Sequence, residues 1–347
     1  ITIDGISADG EGIYEDSNYF YWIEFDSSTH CILKNSTLIR SKGYSALSFG
    51  NDSSYNQIID NYIDYNGTWN KRPWKGEYDD SGSMIWIQPG ANNHNLIQGN
   101  TIKRSGHDLG IIMGNYNVIR NNYFDNNWGV YDGASFKFKG GDVSSGDNIG
   151  NRSISLKKGT RNVVENNIIA NIPESVDDKG VGMMKIGGTY QIVRKNFFIN
   201  GTGEGAEAIT SSLGSTSPII QNNKIYNNTF YRISGPAWWI NAYTSEYPKP
   251  FGNVFKNNII YKANQNPTPG MDAEIVFSSG LNNTYGDAFV DNIVSHNCIA
   301  RDESMSEQTV QSAADGLKPI STYQSKYSDI FFSNIEAVPK FVSDNPV

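Results

Sequence analysis

Charged side chains are scarce. Lys and Arg number 28 and Asp and Glu 36, together 18% of 347 residues, where an ordinary soluble chain carries about 25%. Long helices and coiled coils draw on Ala, Leu, Glu and Lys, so this composition excludes that class. Cysteine is nearly missing: Cys31 and Cys298 supply neither a disulfide framework nor a zinc cluster. The sequence holds no run of about 18 apolar residues, so no membrane span is expected. A net charge of −8 gives no basic face for duplex nucleic acid, and no nucleic-acid partner is expected. GxSxG, P-loop and HExxH motifs are all absent. Disorder is excluded by the opposite surplus, 20 Tyr, 16 Phe and 7 Trp at modest net charge.

What fills the space is asparagine, 41 residues of it, and the asparagines are periodic. One motif recurs: Asn, any residue, an aliphatic, two positions, Asn, any residue, then Ile or Phe. It reads NQIIDNYI from Asn56, NLIQGNTI from Asn95, NVIRNNYF from Asn117 and NVVENNII from Asn162. It returns as QIVRKNFF from Gln191, NKIYNNTF from Asn223, NVFKNNII from Asn253 and NIVSHNCI from Asn292. A degenerate first copy surrounds Asn35. The second asparagines stand at 35, 61, 100, 122, 167, 196, 228, 258 and 297, so the shortest interval is 22 residues and the longest 45. A minimal coil near 22 residues with insertions on one side explains that spread. Within each copy the apolar residues alternate and β-branched types dominate, which is strand periodicity. Asn tolerates left-handed backbone and suits the turn between strands, and amides at the same place in successive coils can bond one another. Each coil alone buries too little, so neighbours must stack.

On these motifs the sequence resembles the right-handed parallel β-helix proteins of the pectate-lyase-like superfamily. The likeness covers residues 1–299 and implies an all-β, single-stranded solenoid with loop insertions. Residues 300–347 are read as a C-terminal flanking segment, packed on or extending the last coils, with a final strand near Ile335 to Val342. The chain opens at Ile1 without a charged-then-apolar leader, as expected of a processed secreted or cell-surface protein or of an excerpt from a longer one. Uncapped ends would leave strand edges able to stack on another copy, so end-to-end or lateral self-association is expected.

Insertions mark the wall of a cleft. Trp69 and Trp74, with Lys71, Arg72, Glu77, Asp79 and Asp80, fall in one, and Trp238, Trp239 and Tyr243 in another. Flat rings beside charges suit a sugar, since rings pack on pyranose faces and charges grip hydroxyls or uronates. Lys137 and Lys139 in ASFKFKGG, Lys157 and Lys158 beside Arg161, and Lys185 in VGMMKIGG form the main cationic group. Aligning Gly187 with Gly159 puts Lys185 one coil beyond Lys157, in a column that needs an anion to neutralise it. The alternative is neutralisation by acids of nearby loops.

The same stretch resembles the alginate- and chondroitin-cleaving lyase group of that superfamily. The resemblance implies Lys139 as base, with Lys157 in the place of that group's Arg and Lys158 in the place of its His. The reaction implied is β-elimination from a uronic acid: a base takes the proton beside the carboxylate and a cation or metal steadies the enolate-like charge. Neighbouring Lys residues would depress the base's pKa. Asp177, Asp178, Glu204 and Glu207 are candidate oxygen ligands for Ca²⁺. Hydrolysis by paired carboxylates is a further alternative, with Glu77 beside Asp79 or Asp80, or Asp177 with Glu204. His107 and Asp108 are strand neighbours that point to opposite faces and do not pair as a dyad. Two classes therefore stand: a secreted carbohydrate-active protein cleaving or binding an acidic polysaccharide, leaning to a polysaccharide lyase, and a non-catalytic adhesin, spike or surface fibre.

Overall fold

The computed structural model describes residues 1–10, 21–41, 45–66, 71–72, 77–78, 83–105, 108–126, 154–156, 159–172, 182–201, 206–212, 219–242, 248–266, 271–279, 291–300, 309–312 and 315–339. Three sheets of eleven strands each run the length of the molecule. Sheet A begins at Thr2–Asp4, sheet B at Ser7–Asp9 and sheet C at Tyr21–Asp26, and every coil visits A, B and C in turn. All pairings in A and B are parallel. Sheet C is parallel until its last strand, Gly316–Lys318, which turns back on Val310–Ser312. This is a parallel β-helix.

Register follows from the inward residues. In sheet A, Leu33, Ile58, Ile97, Ile119, Val164, Val193, Ile225, Phe255, Val294 and Phe331 lie directly above one another, each 1% exposed or less. A slip of one residue would turn that whole column to solvent, so burial fixes the pairing. Side chains such as Phe198, Phe230 and Phe255 stack along the same interior, with ring centroids 4.9 and 5.8 Å apart.

The corner from A to B takes two residues. The first is left-handed, with φ of 54° at Asp60, 57° at Asn121, 54° at Asn166 and 58° at Asn227. The second is the buried asparagine, so turning and hydrogen bonding are divided between neighbours rather than combined in one residue. Nδ2 of Asn61, Asn100, Asn122 and Asn167 each donates to Oδ1 of the next asparagine at 3.0 Å. Asn196, Asn228, Asn258 and Asn297 continue the chain at 2.9–3.1 Å and end on Asn334. Each Oδ1 also accepts the backbone N–H one coil below, as Asn167 does from Asn122 at 2.9 Å. The lowest rung is Ser36 rather than Asn35: Ser36 is buried and its N–H donates to Asn61 Oδ1 at 3.0 Å, while Asn35 is the exposed left-handed residue. The first asparagine of each repeat forms a second column, from Asn56 through Asn95, Asn117 and Asn162 to Gln191, where the longer amide keeps the bond at 2.9 Å.

Beyond residue 300 the coil continues, with Phe331–Phe332 joining sheet A and Ile335–Glu336 joining sheet B. A short helix, Ile320–Lys326, closes this end by setting Ile320 and Tyr323 over the interior beside Phe331.

Candidate functional site on the outer face of sheet C

Alternation along sheet C decides which side chains leave the cylinder. Met184 and Ile186 are buried at 0%, so Lys185 between them points out. Ile85 and Ile87 face in and Trp86 out, and Trp238 and Ile240 face in and Trp239 out. The register places Trp86, Ile111, Ser155, Lys185, Thr210 and Trp239 at matching positions on six successive strands. Five strand spacings separate the two tryptophans, roughly 24 Å.

The middle of the row is polar. Thr210 Oγ1 donates to Glu207 Oε2 at 3.2 Å, and Glu207 is 1% exposed. Gly182 makes that pair possible, since a Cβ there would stand 2.5 Å from Thr210 Oγ1 and 3.3 Å from Glu207 Oε2. Lys185 is the register partner of Thr210 on the adjacent strand. At one end the Trp239 indole N–H donates to Ser278 Oγ at 2.7 Å and holds the ring on the sheet. The insertions at 67–82, 127–153 and 173–181 all leave the chain between sheets B and C, so they arise along one edge of this face.

Several expected residues move. Trp238 was expected to face a sugar but is 1% exposed in the core, stacked on Phe255 at 5.0 Å. Two adjacent residues on a strand cannot both face out. Lys185 stacks on Ser155, with Ile186 on Leu156, so the vertical alignment of Lys185 with Lys157 does not form. The cause is a length difference: Thr160 pairs with Thr189, leaving three residues after Leu156 but two after Ile186, so Gly159 meets Gly188 and not Gly187. Arg161 lies at the corner from C to A, its guanidinium 5.7 Å from the Tyr116 ring and 5.0 Å from that of Tyr190. Asp108 is fully buried, and its backbone carbonyl accepts the Met84 N–H.

Lys137, Lys139, Lys157, Lys158, Trp69, Trp74, Tyr243, Asp177, Asp178 and Glu204 lie outside the described residues, as do Asp79, Asp80 and His107. Glu77 is in a short strand, Glu77–Tyr78, antiparallel to Lys71–Arg72. Among the described residues no group of three or more His, Cys, Asp or Glu side chains could hold a metal ion, and no helix is long and apolar enough to cross a membrane. Trp86 and Thr210 were not anticipated. The signal for Trp86 was present in SMIWI, where the aromatic occupies the alternate slot between two buried isoleucines.

A family model described as periplasmic copper-binding protein (NosD) matches residues 15–139, less than half the chain. No curated protein matches. Among solved structures, a tailspike protein mutant of E. coli bacteriophage HK620 in complex with hexasaccharide is similar at 12% identity and a TM-score of 0.53, over 90% of this chain and 54% of that one. Another tailspike mutant of the same phage, in complex with pentasaccharide, gives 11% identity and a TM-score of 0.50, over 86% and 57%. An alginate lyase from Paenibacillus sp. str. FPU-7 gives 14% identity and a TM-score of 0.43, over 87% and 84%. The fold is the right-handed parallel β-helix. This chain spans little more than half the length of the tailspike proteins it matches.

Proposed function

We propose that this is a secreted or cell-surface β-helix protein that binds an acidic polysaccharide along the outer face of sheet C and cleaves it by β-elimination. One observation carries the reading: Lys185, the register partner of Thr210, stands in a row of matching strand positions that runs from Trp86 to Trp239. The indoles supply platforms for sugar rings. The Lys185 ammonium neutralises a uronate carboxylate and steadies the charge that gathers on it when the neighbouring carbon loses its proton. The electron pair then forms the carbon–carbon double bond and expels the glycosidic oxygen. Lys139 and Lys157 remain the base candidates, and Ca²⁺ held by Asp177, Asp178 and Glu204 would add charge stabilisation. The tailspike complexes with oligosaccharides support glycan binding on this fold.

The test is incubation with alginate, pectate and chondroitin, with and without calcium, following ultraviolet absorbance of the unsaturated product. Lys185→Ala is expected to lower kcat/KM by about 100-fold, the loss of one transition-state charge contact, with an unchanged melting curve. Full activity in that variant removes Lys185 from the mechanism, and silence on every substrate removes the lyase reading. A second reading, hydrolysis by carboxylates, draws on the buried Glu207 carboxyl. It gives new reducing ends without the absorbance. Binding without either product leaves the adhesin reading.

A further inference from the structure

Sheet C holds a buried polar side chain that the lysine chemistry leaves unused. Asn241 lies in the strand Trp238–Ala242, two residues beyond Trp239 and therefore on the same outer side of the sheet. It is 0% exposed. Among the described residues neither its Nδ2 nor its Oδ1 has a hydrogen-bond partner. The asparagines of the buried corner behave differently: Asn167 donates and accepts at both ends of its amide, at 2.9–3.0 Å. A buried amide left idle lowers stability. Such a group in a native fold points to a role outside packing.

The neighbouring strand explains what stands next to it. Ser278 is the register partner of Asn241, yet its Oγ is engaged with the Trp239 indole N–H at 2.7 Å. Trp239 itself is in register with Val276. The bond to Ser278 thus carries the indole along the strand, towards the Asn241 position. A flat ring and an idle donor–acceptor pair are brought together.

We infer that Asn241 binds the hydroxyl edge of a sugar whose ring face packs on Trp239. This rests on the reading of sheet C as a glycan-binding face. An amide presents a donor and an acceptor side by side. Neighbouring hydroxyls of a pyranose each donate and accept, so two of them satisfy both ends at once. A carboxylate would satisfy Nδ2 alone and set its charge against Oδ1; an ammonium would do the reverse. The uronate carboxylate therefore belongs to Lys185, two strand spacings from Trp239 or roughly 10 Å, and so to a different sugar residue. Asn241 is enclosed in the free protein, so the hydroxyls meet it by induced fit. A site that bonds hydroxyls in this way rejects a sugar that lacks them.

Hexasaccharides of alginate, pectate and chondroitin, each also in O-acetylated form, are the probes. Their binding to the full chain is read by stopped-flow tryptophan fluorescence, before turnover. Asn241→Leu removes the amide and should weaken the hexasaccharide that the wild type binds by about tenfold, at an unchanged circular dichroism spectrum. Asn241→Ala, which cannot overpack the position, should repeat that loss. Acetylation blocks the hydroxyls, so on the acetylated probe both variants should bind as the wild type does. An equal loss on the plain and acetylated probes would show that Asn241 only shapes the site, and overturns the inference. Unchanged binding of the plain probe in both variants overturns it as well and leaves the sheet C reading standing. A wild type that binds none of the hexasaccharides overturns both together.

Discussion

The corner from A to B and the corner from B to C solve the same problem in opposite ways. The first turns in two residues, buries an asparagine at each coil and links those amides from Asn61 to Asn334. The second admits insertions of very different length and is followed by a sheet whose outer row mixes Trp86, Lys185, Thr210 and Trp239. One corner holds the repeat in register, while length varies at the other and again from C to A, where Ile112 is followed by Val118 but Ser279 by Ile293 as the next paired strand residues. A solenoid gains from that division, because loops can change without disturbing the stacked interior.

The largest test of the division uses two adjacent residues. Trp238→Ala empties a fully buried site between Phe255 and Phe277 and should cost about 3–5 kcal/mol by denaturant unfolding. Trp239→Ala removes a partly buried ring on the outer side and should cost under about 1 kcal/mol, while weakening glycan binding measured by calorimetry. Equal losses of stability in the two variants would mean that the outer row belongs to the packing and not to a site.

Next comes the ladder. Asn167 accepts the N–H and the Nδ2 of Asn122 and donates to Ile119 O and Asn196 Oδ1, at 2.9–3.0 Å. Asn167→Ala strands these buried groups at about 1–3 kcal/mol each, and a net loss near 3 kcal/mol is expected in the same unfolding experiment. Hydrogen exchange should rise at coils holding Asn122 and Asn196 and stay unchanged near Asn334. A uniform rise along the chain would show that the ladder acts as one cooperative unit and not rung by rung.

These contrasts mirror what could be read in advance. The repeat announced itself through residues that recur at fixed places, Asn in the buried corner and Ile, Val or Phe in the interior. Where two coils differ in length, as between Leu156–Thr160 and Ile186–Thr189, glycines misled the alignment of Lys157 with Lys185, because the hydrophobic residues and not the glycines set register. Trp238 and Trp239 were joined as one feature although strand geometry had to separate them. The Thr210–Glu207 pair was hidden for another reason: it forms over a gap left by Gly182, just before the strand Met184–Ile186 of the preceding coil, and no spacing within one repeat reports a void.

The smallest effect expected is alkaline. Amides do not titrate, so the asparagine corner contributes the same stability at pH 8 as at pH 12. Tyr323, at the closed end, differs: burial pushes its phenol up to about 12 from 10. The folded state thus holds the proton more tightly than the unfolded chain. Stability from this group is complete below pH 10 and is lost as pH rises from 10 through 12, on the order of 1–2 kcal/mol. Tyr323 Oη also donates to Gly316 O at 2.8 Å, so ionisation breaks a bond within the cap. Hydrogen exchange should report loosening first in the helix Ile320–Lys326 and its neighbour Gly316–Lys318. Tyr323→Phe keeps the ring and removes the proton, so its stability should start lower at neutral pH and fall less between pH 10 and 12. A variant whose alkaline decline matches the wild type would assign that decline elsewhere, to Tyr62 and Tyr123, which burial also pushes up to about 12 on the outer face of sheet B beside Asp64 and Asp125.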